Sequence, residues 1–79
     1  MKVQILFFGA TAEAVGEREV EMLFNAGTKS DEAFVEIKDK FPKLKEHSLL
    51  FAVNQEYSNS NEIIKNGDEL AVFTAVSGG

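Results

Sequence analysis

The residues of this chain with the clearest chemical capacity are its last two, Gly78-Gly79. Glycine has no Cβ, so this dipeptide is slender and can enter a channel that excludes a side chain. An α-carboxylate on Gly79 has a pKa of roughly 3.5 and is an anion at neutral pH. A carboxylate on such a stalk can attack ATP and become an activated acyl group. Glycine makes up about 7% of residues in proteins, so two together at this place arise by chance roughly once in 200 sequences. The pair gains meaning only if the preceding chain is a suitable carrier.

Other chemistry is limited by residue type. The sequence has no cysteine, which excludes disulfide staples, thiolate metal sites and a nucleophilic or persulfidic thiol. Covalent sulfur could be carried only on the terminal carboxylate. One histidine, His47, cannot build a metal cluster and reads as a solvated loop residue. No glycine-rich loop leads into Gly-Lys-Ser/Thr, so a phosphate-binding enzyme is not expected. Thirteen acidic against eight basic residues give a charge of −5. That balance argues against nucleic-acid backbones and for a basic protein partner. Lys38, Lys40, Lys43 and Lys45 cluster, but they read as a solvated helix end. No convergent acid–base constellation is evident, so acids and bases for catalysis belong to partners.

The elements that position Gly79 begin with the strand before it, Glu69 to about Val76. Seventy-nine residues make one small domain, expected over residues 1–76 with a Ser-Gly-Gly tail over 77–79. Hydrophobic content of 44%, including seven Phe, is enough for a packed core. Residues 2–8 read as a strand with two largely apolar faces, Val3, Ile5 and Phe7 against Gln4, Leu6 and Phe8. Thr11 to Val15 suit a helical turn closed by Gly16. Residues 18–24 alternate cleanly, with Val20, Met22 and Phe24 opposite an acidic face. A helix follows, capped by Thr28 with Asp31 or by Ser30, and stopped at Phe41-Pro42. Ala33, Phe34, Ile37 and Phe41 form its apolar stripe.

Residues 49–54 are a third strand, and Asn54-Gln55-Glu56 turns the chain. Residues 57–61 read as a polar loop, and Glu62-Ile63-Ile64 as a short edge strand or turn. Lys65-Asn66-Gly67-Asp68 is the strongest turn signal. The expected architecture is α+β: a mixed sheet of four to five strands with one main helix across one face. Leu6, Phe8, Ala71 and Phe73 then share the opposite face if the first and last strands are neighbours. Such a patch at the root of the tail marks a partner surface. Val76 and Ser77, between the patch and Gly78, complete the candidate interface.

The opening Lys2-Val3 to Phe7-Phe8, Ala52-Val53-Asn54-Gln55, Gly67-Asp68-Glu69 with Ala71 and Phe73, and the ending Val76-Ser77-Gly78-Gly79 carry a resemblance over the whole chain. They are similar to the small subunit of molybdopterin synthase, a ubiquitin-like β-grasp family. The resemblance implies that Gly79 is adenylated, converted to a thiocarboxylate, and donates sulfur to cyclic pyranopterin monophosphate in molybdenum cofactor biosynthesis. It implies three partners: the large synthase subunit, an adenylating enzyme that uses ATP, and a sulfur donor protein. No tightly bound cofactor is implied, and the isolated chain is not an enzyme. Thr74-Ala75 stands where the family usually has Pro-Pro, and Ala12 where it often has arginine. These departures leave open a carrier or modifier of another route: thiamine-type sulfur transfer, tRNA thiolation or lysine conjugation. The apolar start is broken by Gln4, and no run approaches the roughly 20 residues of a membrane span. A cytoplasmic location without membrane or nucleic-acid contact is expected.

Overall fold

Alternation in the first residues makes an interior strand of the sheet. Strand β1 (Lys2–Phe7) buries Val3, Ile5 and Phe7 on one face. The computed structural model describes residues 1–75. Around β1 follow α1 (Ala10–Val15), β2 (Glu19–Leu23), α2 (Ser30–Lys40), a 3-10 turn (Pro42–Glu46), β3 (Leu49–Val53), β4 (Glu56–Tyr57) and β5 (Glu69–Thr74). The sheet order is β2-β1-β5-β3-β4. Strand β1 pairs antiparallel with β2 and parallel with β5, in the register Ile5↔Leu70, Leu6↔Ala71, Phe7↔Val72. A parallel neighbour needs a long crossover, and the chain from β2 to β5, with α2 in it, supplies one.

Helix α2 covers the face that β1 buries. Ala33, Phe34 and Ile37 are buried and join Val3, Ile5, Phe7, Leu70 and Val72 in one core. The Phe34 ring stacks on Phe51 at 3.9 Å, and Phe41 meets Phe7 edge-on at 5.5 Å. Aromatic pairs of this kind contribute about 0.5–1.5 kcal/mol beyond their buried area. The stripe and the stop at Phe41-Pro42 are therefore as expected. So is α1, closed by Gly16 at φ 84°.

The start of α2 differs from expectation. Lys29, not Thr28 or Ser30, is the residue before the first helical turn, and its N–H donates to Glu32 Oε1 at 3.0 Å. Thr28 instead donates its hydroxyl to the Asn25 carbonyl at 2.7 Å, closing the turn after β2. Ser30 is fully buried and donates to Glu62 Oε1 at 2.6 Å. Hydroxyls near a helix start have competing backbone and tertiary acceptors, and here the tertiary acceptor wins.

Two further elements were not evident in the sequence. Pro42 opens a 3-10 turn that drives Leu44 fully into the core. Asn54 and Gln55 both adopt positive φ, 49° and 70°, which makes a two-residue turn of the primed type. That turn folds Glu56–Tyr57 back as β4, where a polar loop was expected. The segment Glu62-Ile63-Ile64, expected as a short edge strand or turn, makes a single bridge from Ile63 to Lys29. Strand β5 follows the turn at Gly67 (φ 86°) as expected and runs to Thr74. Its expected continuation to Val76, the boundary at 76 and the tail over 77–79 lie outside the described residues.

Candidate functional site

Strand β5 carries the chain toward Gly78-Gly79, and its two faces have different fates. Leu70 and Val72 are fully buried under α2. Ala71 and Phe73 point to the sheet's open face. Pairing sets the neighbours on that face. One row across the sheet reads Glu19, Leu6, Ala71, Ala52, Tyr57. Phe73 pairs with Leu50, and its ring lies 5.9 Å from that of Tyr57. Phe8 is 52% exposed and Tyr57 74% exposed. Two adjacent alanines leave the middle of the face low, with Leu6 on one side and Tyr57 on the other.

All four described residues of the expected patch, Leu6, Phe8, Ala71 and Phe73, therefore share one face. Val76, Ser77, Gly78 and Gly79 lie outside the described residues. The face also holds Leu50 and Tyr57, which the sequence reading did not include. Leu50 was reachable from alternation in β3. Tyr57 was hidden because its strand follows a turn without glycine.

The root of this strand is fixed from both sides. The Val72 carbonyl accepts from Phe8 N–H at 3.2 Å and lies 2.8 Å from the Thr11 hydroxyl. Thr11 is fully buried, and its Oγ1 also accepts from Phe8 N–H at 2.9 Å. On the other side, Ala75 N–H donates to the Ser48 carbonyl at 3.0 Å. The helical turn α1 and the start of β3 thus clamp β5 up to the last described residue. Fixed backbone on both flanks gives the following segment a defined point of departure.

The two internal motifs that carried the resemblance meet at the opposite end of β5. Asn54 Nδ2 donates to Asp68 Oδ1 at 3.1 Å, and Glu69 N–H donates to Asn54 Oδ1 at 3.0 Å. Asp68 Oδ2 accepts from Lys65 N–H at 2.8 Å. These bonds set where β5 begins, and so which of its residues reach the open face.

A third polar cluster ties the segment after β4 to α2. The Glu62 carboxylate accepts from Ser30 and Ser58 hydroxyls and from Asn59 N–H. Burial alone would raise its pKa. Hydrogen bonds from Ser30, its own backbone, Ser58 and Asn59 outweigh that and lower it from 4.5 to about 2. The lysine-rich helix end shows one ion pair, Lys45 to Asp39 at 3.0 Å, in solvent. Such exposed pairs contribute roughly 0–1 kcal/mol. Among the described residues no helix is long and apolar enough to cross a membrane.

One main helix laid across a five-stranded sheet in this order is the ubiquitin-like β-grasp fold, and an apolar open face on the strand that precedes Gly78-Gly79 fits its carrier class. Residues 5–79 match the ThiS family, and the chain belongs to it. It is 36% identical over 83 residues to the molybdopterin synthase sulfur carrier subunit of Caenorhabditis briggsae, covering 100% of this chain and 99% of that protein. Among solved structures it is similar to small archaeal modifier protein 1 of Haloferax volcanii, with a TM-score of 0.87, 25% identity and full coverage of both chains. It is also similar to a chain of the complex of subunits 1 and 2 of molybdopterin-converting factor from Helicobacter pylori, with a TM-score of 0.72, 26% identity and full coverage of both.

Proposed function

We propose that this chain is the sulfur carrier subunit of a molybdopterin synthase, with Gly79 as the carrying residue. The observation that carries this reading is the apolar face of Leu6, Phe8, Leu50, Phe73 and Tyr57 at the strand that leads to Gly78-Gly79. The full-length likeness to a sulfur carrier subunit and to a two-subunit converting-factor complex supports it. The isolated chain is a carrier and not an enzyme.

In this reading a partner enzyme binds ATP, and an oxygen of the Gly79 carboxylate attacks its α-phosphorus. Pyrophosphate leaves and an acyl-adenylate forms. The terminal sulfur of a persulfide on a sulfur donor protein then attacks the acyl carbon and expels AMP. A second thiol of the donor cleaves the resulting acyl disulfide, forms a disulfide within the donor and releases the thiocarboxylate. The large subunit receives the tail, the thiocarboxylate sulfur bonds to a carbon of cyclic pyranopterin monophosphate, and water then cleaves the acyl C–S bond of the resulting thioester. Two such transfers complete the dithiolene, and each returns a carboxylate on Gly79. Gly78 and Gly79 let successive enzymes close around bare backbone. Enclosure in a partner keeps the activated acyl group from water. A cytoplasmic location is part of this reading.

The intact mass of the protein taken from its own cells tests the proposal. A fraction heavier by one oxygen-to-sulfur exchange supports it. An unmodified mass during active cofactor synthesis contradicts it. The likeness to small archaeal modifier protein 1 favours one second reading, attachment of Gly79 to lysines of other proteins. A population linked in that way would favour the modifier.

A further inference from the structure

Strand β2 is an edge of the sheet, and its backbone parity shows which groups it leaves unpaired. Phe24 N–H donates to the Met1 carbonyl at 3.0 Å, and Phe7 N–H donates to the Arg18 carbonyl at 2.9 Å. Antiparallel pairs alternate between bonded and non-bonded. With Met1↔Phe24 and Phe7↔Arg18 bonded, the register makes Val3↔Met22 and Ile5↔Val20 bonded as well. The pairs Lys2↔Leu23, Gln4↔Glu21 and Leu6↔Glu19 are then the non-bonded ones. The N–H and C=O groups of Glu19, Glu21 and Leu23 therefore point away from β1, along the free edge.

The side chains of those same three residues stand on the open face. Leu23 is 72% exposed. Glu19 and Glu21 are exposed, and no cation pairs with them among the described residues. Glu19 accepts from the Gln4 side-chain amide, which leaves its charge in place. Arg18 shares the opposite face with Phe7, and Lys2 stands on the open face opposite Leu23 without an ion pair to Glu19 or Glu21 among the described residues. Glu13 and Glu17 carry the excess of acid into a groove beside Leu6 and Phe8 at the start of β2, where Arg18 is the one basic lining residue.

We propose that the free edge of β2 pairs with an extended basic segment of another protein, which adds a sixth strand to the sheet. Residues of that segment opposite Glu19 and Glu21 carry Lys or Arg, and the one opposite Leu23 is apolar. Cross-strand pairs of opposite charge stabilise such a ladder. A second copy of this chain is disfavoured, because antiparallel self-pairing centred on Glu21 sets carboxylate against carboxylate. The acidic edge thus repels its own copies while attracting a basic strand. This site lies at the β2 edge, whereas Gly78-Gly79 follow the interior strand β5, and it does not depend on the sulfur-carrier reading.

The test uses the full chain and the capped peptide acetyl-Thr-Leu-Thr-Lys-Thr-Lys-Thr-amide, which antiparallel to β2 sets Leu opposite Leu23 and Lys opposite Glu21 and Glu19, followed by amide chemical shifts. Binding is expected to perturb Glu19, Glu21 and Leu23 first and to weaken as salt rises. The same peptide with glutamate for lysine should not bind. Glu21→Pro removes an outward N–H but no bond to β1, so the sheet should survive while affinity falls about tenfold. Glu19→Gln with Glu21→Gln keeps both donors and should weaken binding about threefold, with a smaller salt dependence. A chain lacking Gly79 should bind unchanged. Absent binding, shifts centred on Phe73 or α2, equal affinity of Glu21→Pro, dependence on Gly79, or self-association through β2 would each overturn the proposal.

Discussion

The Asn54 side-chain amide donates to the Asp68 carboxylate at 3.1 Å across 14 residues of chain, and the Asn54 carbonyl oxygen Oδ1 receives the N–H of Glu69. Asn54 is the first residue of the β3–β4 turn at φ 49°, and Asp68 is the last before β5. One side chain therefore joins the turn that creates β4 to the start of the strand that ends at the candidate site. Asn54→Ala should cost about 0.5–1.5 kcal/mol, because Glu69 N–H and Asp68 exchange an ordered partner for water. A β-carbon-only side chain at positive φ adds strain. Denaturant melts of this variant and of Asn54→Gly, which relieves the strain alone, separate the two effects. Equal stability of Asn54→Ala and the parent chain would remove this lock from the account.

Core packing gives a second expectation. Phe34→Ala and Ile37→Ala should each cost on the order of 2–5 kcal/mol in a denaturant melt, as buried large-to-small changes do. Both side chains are buried between α2 and the sheet, and Phe34 also loses its stacked partner Phe51. A near-zero loss for both would mean that the stripe does not face the sheet.

The open face gives a third. Phe73→Ala should weaken binding to a molybdopterin synthase large subunit by about 2 kcal/mol or more, as the loss of an aromatic anchor does. Phe73 is only half-buried in the isolated chain, with Tyr57 at its edge. It should therefore cost the free domain clearly less stability than Ile37→Ala. Titration calorimetry with the large subunit and a melt of the free chain decide together. Unchanged affinity with a large stability loss would place Phe73 in the core.

Acid provides a fourth. The folded pKa of Glu62 is lowered from 4.5 to about 2, so the folded state binds that proton more weakly than the unfolded state. Its contribution to stability is fully present above about pH 4.5 and is lost as the pH falls toward 2. The stability gap between the parent chain and Glu62→Gln should be constant at neutral pH and narrow across that window. Melts at several pH values measure it. A gap independent of pH would show that the carboxylate charge is not what holds Ser30, Ser58 and Asn59.

The parts of the fold that were legible in the sequence rest on short-range periodicity. Val3, Ile5 and Phe7 announced a strand by alternation, and Ala33, Phe34, Ile37 and Phe41 announced a helix face by their spacing. The open-face patch followed from alternation in β5 and β1 once those strands were taken as neighbours. What was not legible depends on contacts distant in sequence. Strand β4 exists because Asn54 and Gln55 accept positive φ without glycine, and the bond Asn54 donates to Asp68 and the one it accepts from Glu69 hold that turn. The Ser30 hydroxyl had a helix start nearby but bonds Glu62, 32 residues away. Leu44 sits in a short lysine-rich stretch with no periodic signal, and Pro42 turns it into the core.

The central claim is that the carboxylate of Gly79 itself carries the sulfur. Extension of the chain by one residue beyond Gly79 moves the reactive carboxylate and touches none of the contacts made by residues 1–75. Intact mass after incubation with the adenylating enzyme, ATP and the sulfur donor measures the outcome directly. The account predicts an oxygen-to-sulfur exchange in the parent chain and none in the extended chain, with identical melts for the two. Full sulfur loading of the extended chain, without trimming back to Gly79, would contradict it.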